Sequence, residues 1–130
     1  MNKQEHIEYW IKSASLKWES ATILFEKKSF VDCLFYSHLV LEQLLKAHWV
    51  KDNEGNMPPK VHNLKFLADQ TNLNLTNDQI DFLILMNSYQ MESRYADYKF
   101  SVYKICTESY TKPLLEKINI IRKWLINQLQ

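Results

Sequence analysis

The sequence predicts an all-α fold, a bundle of packed helices, and three observations lead to that class. The 130-residue chain contains one Gly and three Pro, so the turn residues that β-hairpins require are nearly absent. Hydrophobic residues make up 46% of the composition, and a chain of this length can bury a core without disulfides or a structural metal. Residues 30–51 are apolar over about two thirds of a helical surface, which predicts a central helix covered on several sides. We expect a single domain spanning residues 1–130.

The first predicted helix is long and amphipathic, with apolar residues recurring at three- and four-residue steps. Its apolar face consists of Ile7, Trp10, Ile11, Ala14, Trp18, Ala21, Leu24 and Phe25. It should end near residues 27–29, where two lysines suit the negative end of the helix dipole and Ser29 can cap the next helix. A tight antiparallel connection to the central helix follows.

The polar side chains of the central helix fall within one stripe roughly 100° wide. The stripe consists of Asp32, Glu42, Gln43 and Lys46, and we expect it to face water. The helix should stop in residues 52–59, DNEGNMPP, which hold the only Gly and two of the three prolines. This loop is expected to be the most mobile segment.

Two helices are predicted after that loop. The stretch VHNLKFLADQ should form a short helix with Leu64, Leu67 and Ala68 facing inward. Thr76 and Gln79 match a capping box, so a second helix should begin there and run to about Ser93. Its expected inner face consists of Ile80, Leu83, Ile84, Asn87 and Met91.

The C-terminal part of the chain combines an irregular stretch with a final helix. Residues 94–105, RYADYKFSVYKI, show no clean helical period, which predicts an irregular or partly extended connection. The last helix should start between Thr107 and Pro113, because Pro is tolerated near the first turn of a helix. Its expected inner face consists of Leu114, Ile118, Ile121, Leu125 and Leu129, with Trp124 beside it.

Composition excludes several classes of function. The formal net charge is +1, so no global field favours nucleic acid or an anionic membrane. Cys33 and Cys106 match no metal-ligand spacing and are expected to be buried thiols in a reducing compartment. The four histidines form no i, i+4 pair and have no flanking carboxylate pattern, so no metal site is expected. No cofactor is expected either. With no apolar run resembling a signal peptide or a membrane span, we expect a cytoplasmic protein.

The order of these signals resembles the HEPN domain (higher eukaryotes and prokaryotes nucleotide-binding) over nearly the whole chain. A long helix is followed by LVLEQLLKAHWV, a proline loop, VHNLKFLA and finally ESRYADYK before an amphipathic C-terminal helix. The specific positions are Glu42 and Lys46, His62 followed by Leu64 and Leu67, and the cluster Arg94, Tyr95 and Asp97. Ala96 stands where the family commonly has proline in an Arg-Tyr-Pro-Asp type sequence.

The resemblance implies an up-and-down four- or five-helix bundle that is usually a two-fold dimer. It also implies a gene often encoded beside a minimal nucleotidyltransferase, and a ligand that is a nucleotide or RNA. Toxin members of the family cleave RNA without metal, using an Arg followed, after four to six intervening residues, by a His. Arg94 is followed at the corresponding positions by Lys99, Phe100 and Ser101, and Arg122 is followed by no His at all.

The missing histidine matters because attack by a ribose 2′-OH needs a group that exchanges protons near neutral pH. An arginine can hold a phosphate but is a poor general base. His62 and His38 are therefore the remaining catalytic candidates beside Arg94. The alternatives are that His62 is a helix-start residue bonded to backbone and that His38 serves packing or a dimer contact. Binding is better supported than cleavage.

The candidate ligand-binding residues are Arg94, Tyr95, Asp97, Glu42, Lys46 and His62. Glu42 and Lys46 could be an ordinary ion pair on the helix surface or part of a polar cleft shared across a dimer. The cluster at Arg94 could be a local network that fastens the chain, or a phosphate or nucleotide contact with an aromatic wall from Tyr95 and Tyr98.

Three functions remain open. The first is a nucleotide- or partner-binding module, a dimeric companion of a separate nucleotidyltransferase in a toxin-antitoxin-like or related two-component system. The second is a metal-independent RNase with a rearranged site. The third is a structural helical adaptor.

Overall fold

A computed structural model describes residues 1–92 and 104–130, and the regular structure within these ranges is helical. The helices are α1 (Lys3–Glu26), α2 (Phe30–Asp52), α3 (Leu64–Asp69), α4 (Asn77–Met86), α5 (Ser88–Glu92) and α6 (Glu108–Gln128). The predicted all-α bundle is confirmed. An irregular connection was predicted for residues 94–105. Residues 94–103 lie outside the described ranges, and residues 104 and 105 are helical.

Helix α1 packs along α2 through a face that includes small side chains. Asn2 caps the helix and forms a reciprocal capping box with Glu5. Ile7, Ala14 and Ala21 are buried on the inner face, and the two alanines let the α2 backbone come close. The helix ends at Glu26, as predicted. The Ser29 hydroxyl does not cap the backbone of α2 but donates to the Asp32 carboxylate at 3.1 Å.

Helix α2 is the central element, in contact with α1, α3, α5 and α6. Its largest core side chains are fully buried: Leu34, Leu41, Leu44 and Leu45. The expectation that its polar stripe faces water is wrong for two of its members. Glu42 is only 5% exposed and Lys46 only 7%, because the segment that carries His62 packs over Glu42 and α1 brings the Trp10 ring over Lys46.

The loop after α2 is anchored to the start of α1 by one lysine. The Lys3 ammonium group donates to the backbone oxygens of Val50 and Asn53, each at 2.7 Å, and of Gly55 at 3.1 Å. The first of these carbonyls belongs to the last turn of α2, where a helix leaves acceptors without intrahelical donors. One side chain thus closes the helix end and fastens the chain that leaves it.

The short helices α3 to α5 largely follow the prediction. Leu64, Leu67 and Ala68 are buried, and Thr76 forms the predicted capping box with Gln79. The second helix is nevertheless interrupted at Asn87, whose side-chain oxygen accepts from the Leu64 backbone N–H at 2.8 Å. Because α4 packs through Phe82, Leu83 and Met86, the predicted inner position of Ile84 is wrong, and Ile84 is 50% exposed. The side chain of Met91 lies outside the described part of the chain.

Helix α6 covers α2 and begins with Thr107 as its cap. Ile118, Ile121 and Leu125 are buried on its inner face, as predicted, with Leu114 and Trp124 partly buried beside them. Pro113 lies beyond the first turn. The carbonyl it leaves without a donor belongs to the exposed residue Ser109, so water can satisfy it.

Both cysteines are buried and form no disulfide, as predicted. Burial raises the pKa of Cys33 to about 12, so its thiol stays protonated and unreactive near neutral pH. None of the helices described here is both long and apolar enough to cross a lipid bilayer.

Candidate functional site

Four polar side chains meet between α2 and the segment that leads into α3. We call them the polar cluster: His38, Glu42 and Lys46 of α2, together with His62. The Glu42 carboxylate is at the centre. One of its oxygens accepts from His62 Nδ1 at 2.9 Å, and the other accepts from Lys46 Nζ at 3.1 Å.

Local sequence places these groups together in two ways. His38, Glu42 and Lys46 follow one another at four-residue steps, so they lie along one face of α2. His62 arrives from another direction, one residue before Asn63, whose side chain caps α3 by accepting from Phe66 N–H. The backbone oxygen of His62 accepts from His38 Nε2 at 3.0 Å. His62 is therefore held through both its side chain and its backbone.

Lys46 is buried because its charge has two partners. Beside its bond to Glu42, its Nζ lies 5.5 Å from the centre of the Trp10 ring, a distance at which an ammonium group is attracted to an aromatic face. The hypothesis of an ordinary surface ion pair is therefore wrong. Such a pair sits in water and contributes little, whereas breaking this one would leave an unpaired charge in the interior.

His38 is completely buried, and its tautomer follows from its partner. A carbonyl oxygen only accepts, so Nε2 must carry the hydrogen that bonds to His62. Nδ1 then carries none, and it faces Glu42 at 3.9 Å, too far for a hydrogen bond. Burial lowers the pKa of His38 to about 4, although the nearby Glu42 charge opposes that shift. His38 is thus neutral near pH 7 and unsuited to carrying protons there.

His62 is the member of the cluster that reaches the surface. Its side chain is 44% exposed, whereas that of Glu42 is 6% exposed. A buried carboxylate therefore fixes the orientation of an imidazole that solvent can reach, an arrangement that elsewhere positions histidines for proton transfer or ligand contact. The hypothesis that His62 is a helix-start residue hydrogen-bonded to backbone does not account for the whole arrangement, since the His62 ring also bonds to the Glu42 carboxylate.

The structure brings together only part of the predicted site. Glu42, Lys46, His62 and His38 form one cluster, whereas Arg94, Tyr95 and Asp97 lie outside the described residues. Trp10 also contacts the polar cluster, although the sequence analysis predicted only a core position for it. Its spacing of four residues from Ala14 predicts a position on the inner face of α1 but does not indicate a contact with a lysine.

A second feature that sequence reasoning missed is an open apolar groove between α4 and α6, with a volume of about 590 Å³. Phe82, Leu85, Ile121 and Trp124 line it, and Asp78, Asp81 and Lys117 lie at its polar edges. Ile120, on the same side of α6, is 70% exposed. An apolar residue outside the predicted inner face of α6 was the one sequence signal that could have indicated this groove.

No group of three or more His, Cys, Asp or Glu side chains suited to a metal ion occurs in residues 1–92 and 104–130. The polar cluster illustrates the reason, because its carboxylate oxygens already accept hydrogen bonds from Lys46 and His62. Its chemistry is hydrogen bonding and charge pairing.

Comparison with known families connects this geometry with a known domain. A family model described as the HEPN domain matches residues 7–129. No curated protein sequence and no solved structure matches the chain. The matched range contains the whole polar cluster and, within the described residues, every helix except the first turn of α1. The helical bundle is the fold that the resemblance implied. The chain therefore belongs to the HEPN domain family.

Proposed function

We propose that this protein is a binding module for a nucleotide or RNA, in which His62 contacts the ligand and the rest of the polar cluster holds His62 in place. Membership in the HEPN family supports a nucleotide-binding or RNase-type module. The observation that carries the proposal is the bond from His62 Nδ1 to the buried Glu42 carboxylate at 2.9 Å. It orients a half-exposed aromatic ring, which can stack on a base or approach a phosphate.

The binding test uses the full chain with fluorescently labelled mixed-sequence single-stranded RNA and, separately, with ATP and GTP. We expect His62→Ala to weaken binding by roughly tenfold, since one lost stacking or charge-assisted contact contributes about 1–3 kcal/mol. His6→Ala is the matched control, because His6 lies on α1 and belongs to no part of the cluster. Equal binding by native protein and His62→Ala would contradict the role of His62.

Arg94→Ala tests the second half of the predicted ligand set. We expect weaker binding with unchanged helical content by circular dichroism, as for a phosphate contact. Tyr95→Ala and Asp97→Asn extend the test to the aromatic wall and to the carboxylate that the local-network hypothesis pairs with Arg94. Gross unfolding of Arg94→Ala would identify a structural residue and favour the helical adaptor.

The proposed biological setting is a homodimer that works beside a separate minimal nucleotidyltransferase, in a toxin-antitoxin-like or related two-component system. This setting is supported by other HEPN domains, which often form dimers and bind nucleotides or RNA. Co-expression with a nucleotidyltransferase encoded next to this chain is expected to yield a stable complex on size-exclusion chromatography. Separate elution of the two proteins would argue against the partnership.

A second candidate function is metal-independent RNA cleavage with His62 as the proton carrier. The Glu42–His62 pair favours it, because a carboxylate behind an imidazole is how many hydrolytic sites orient their general base. Incubation with RNA in the presence of a metal chelator tests this directly. Cleavage by the native protein that is lost in both His62→Ala and Arg94→Ala would establish the RNase, whereas binding without cleavage would support the module.

A further inference from the structure

Residues 62–64, at the start of α3, are held by two different parts of the fold. From α2, the Glu42 carboxylate accepts from the ring of His62, and His38 donates to the His62 backbone oxygen. From the break between α4 and α5, the side chain of Asn87 bonds to the two residues that follow His62. Helix α2 thus fixes His62 itself, whereas Asn87 fixes the chain immediately after it.

The hydrogen bonds determine which way the Asn87 amide points. The Leu64 backbone N–H can only donate, so the Asn87 atom that lies 2.8 Å from it is the side-chain oxygen. The amide nitrogen then donates to the Asn63 side-chain oxygen at 3.3 Å. That oxygen is identified in turn by the Phe66 N–H, from which it accepts at 3.0 Å. Both partners therefore fit the same orientation of the Asn87 side chain.

Asn87 can hold the start of α3 because its own backbone is anchored in the core. Met86, directly before it, is fully buried, and Tyr89, two residues after it, is only 4% exposed. The Leu64 N–H is one of the first four of α3, which have no acceptor within their own helix. Asn87 supplies that acceptor from another element, so a rigid part of the core sets the position of the first turn of α3.

From these contacts we infer that Asn87 is a positioning residue for the ligand contact made by His62. The inference rests on the proposed function and adds a residue that acts through the backbone, one and two positions after His62. Without Asn87 the chain that enters α3 can shift, and the 2.9 Å bond from His62 Nδ1 to Glu42 loses its geometry. The half-exposed ring then adopts orientations in which it does not meet the ligand.

The test is a double-mutant cycle on the full chain, with labelled single-stranded RNA, ATP and GTP as the probes. The four proteins are native protein, Asn87→Ala, His62→Ala and the double variant. We expect Asn87→Ala to raise the dissociation constant about fivefold in the native background, but by less than about twofold in the His62→Ala background. The second effect is smaller because no imidazole remains to be positioned.

A spectroscopic measurement and a control variant separate positioning from a general loss of stability. The imidazole 15N chemical shifts of His62 report its hydrogen bond at Nδ1, and we expect Asn87→Ala to move them while those of His48 stay unchanged. His48→Phe is the matched control, because it removes a buried hydrogen bond between α2 and the Leu125 backbone oxygen of α6. It should leave binding unchanged when compared at equal folded content by circular dichroism.

The other outcomes distinguish failure of this inference from failure of the proposed function. Equal weakening by Asn87→Ala in both backgrounds would overturn the inference, because the effect would not pass through His62. A similar loss of binding in His48→Phe would also overturn it, since instability would then be the cause. Native-like binding by Asn87→Ala, with His62→Ala impaired, would overturn the positioning role and leave the proposed function standing. Native-like binding by His62→Ala, or no binding by the native protein, would overturn both.

Discussion

His62 donates a hydrogen bond from Nδ1 to the Glu42 carboxylate at 2.9 Å and thereby ties the segment before α3 to the middle of the central helix. The two residues are 20 positions apart, and one is half-exposed while the other is buried. Glu42 also neutralises Lys46. The same carboxylate therefore supports the fold and orients the side chain that we propose as the ligand contact.

Removal of Glu42 should be costly to stability. Glu42→Ala leaves the Lys46 ammonium group buried without its anion, and we expect a loss of about 3 kcal/mol in the free energy of unfolding, measured by urea denaturation. Glu42→Gln/Lys46→Met removes both charges and should recover much of that loss. Equal destabilisation by the single and double variants would mean that the ion pair is not what stabilises this site.

Stability should fall in mild acid because of His38. Its pKa is about 6.5 in the unfolded chain but is lowered to about 4 by burial, so between these values the unfolded state binds more protons. The contribution of neutral His38 to the free energy of unfolding is fully present above pH 6.5 and is lost as the pH drops towards 4. The expected loss across that window is roughly 3 kcal/mol.

His38→Gln isolates this effect. The glutamine amide can still donate to the His62 carbonyl, but it does not titrate. The groups facing His38 are Glu42, His62 and Lys46, and they remain in the variant. Buried His48, whose pKa is also lowered by burial, will leave a residual slope of the same sign. A pH profile identical to that of the native protein would show that His38 is not the source.

His48 should contribute to the docking of the C-terminal helix. Its Nε2 donates to the Leu125 backbone oxygen at 2.8 Å, across 77 positions of sequence. We expect His48→Phe to retain the packing but leave that carbonyl unsatisfied, with a loss of about 1–3 kcal/mol. Hydrogen exchange should accelerate in the second half of α6 more than in α1. Uniform acceleration over all helices would instead indicate global destabilisation without local detachment.

Lys3 should control the loop that follows α2. Lys3→Met removes three donated hydrogen bonds, to Val50, Asn53 and Gly55, and we expect faster hydrogen exchange in residues 53–60. Lys12→Met is the matched control, because it removes a lysine from the exposed face of the same helix. The sequence-based expectation of a mobile loop would be supported if the native loop exchanged as fast as the variant.

Much of the secondary structure could be predicted because its signals are local. The capping box of Thr76 and Gln79 and the start of α6 at Thr107 depend on side chains that bond within one turn. The break at Asn87 could not be predicted, because its cause is the Leu64 N–H, 23 residues away. Ile84 was placed inward by its three- and four-residue spacing, whereas α4 packs through Phe82, Leu83 and Met86, a face that only the tertiary contacts select.

The candidate site, too, could be predicted only in part from the sequence. The four-residue spacing of Glu42 and Lys46 was visible in the sequence, but it suits a surface pair as well as a buried one. Burial depends on what covers the pair, here Trp10 and the segment carrying His62. His38 likewise changed from a catalytic candidate to a buried neutral residue, because desolvation is a property of its surroundings.

The sequence by itself determined the helical class, the order of the helices, the capping box at Thr76 and the resemblance to the HEPN family, because periodicity, capping and motif order are carried by neighbouring residues. Only the tertiary structure decided which polar residues meet, which of them water can reach and which protonation states burial allows. Those properties arise from contacts between distant parts of the chain. His62 became the leading candidate through its bond to Glu42, which no local pattern contains.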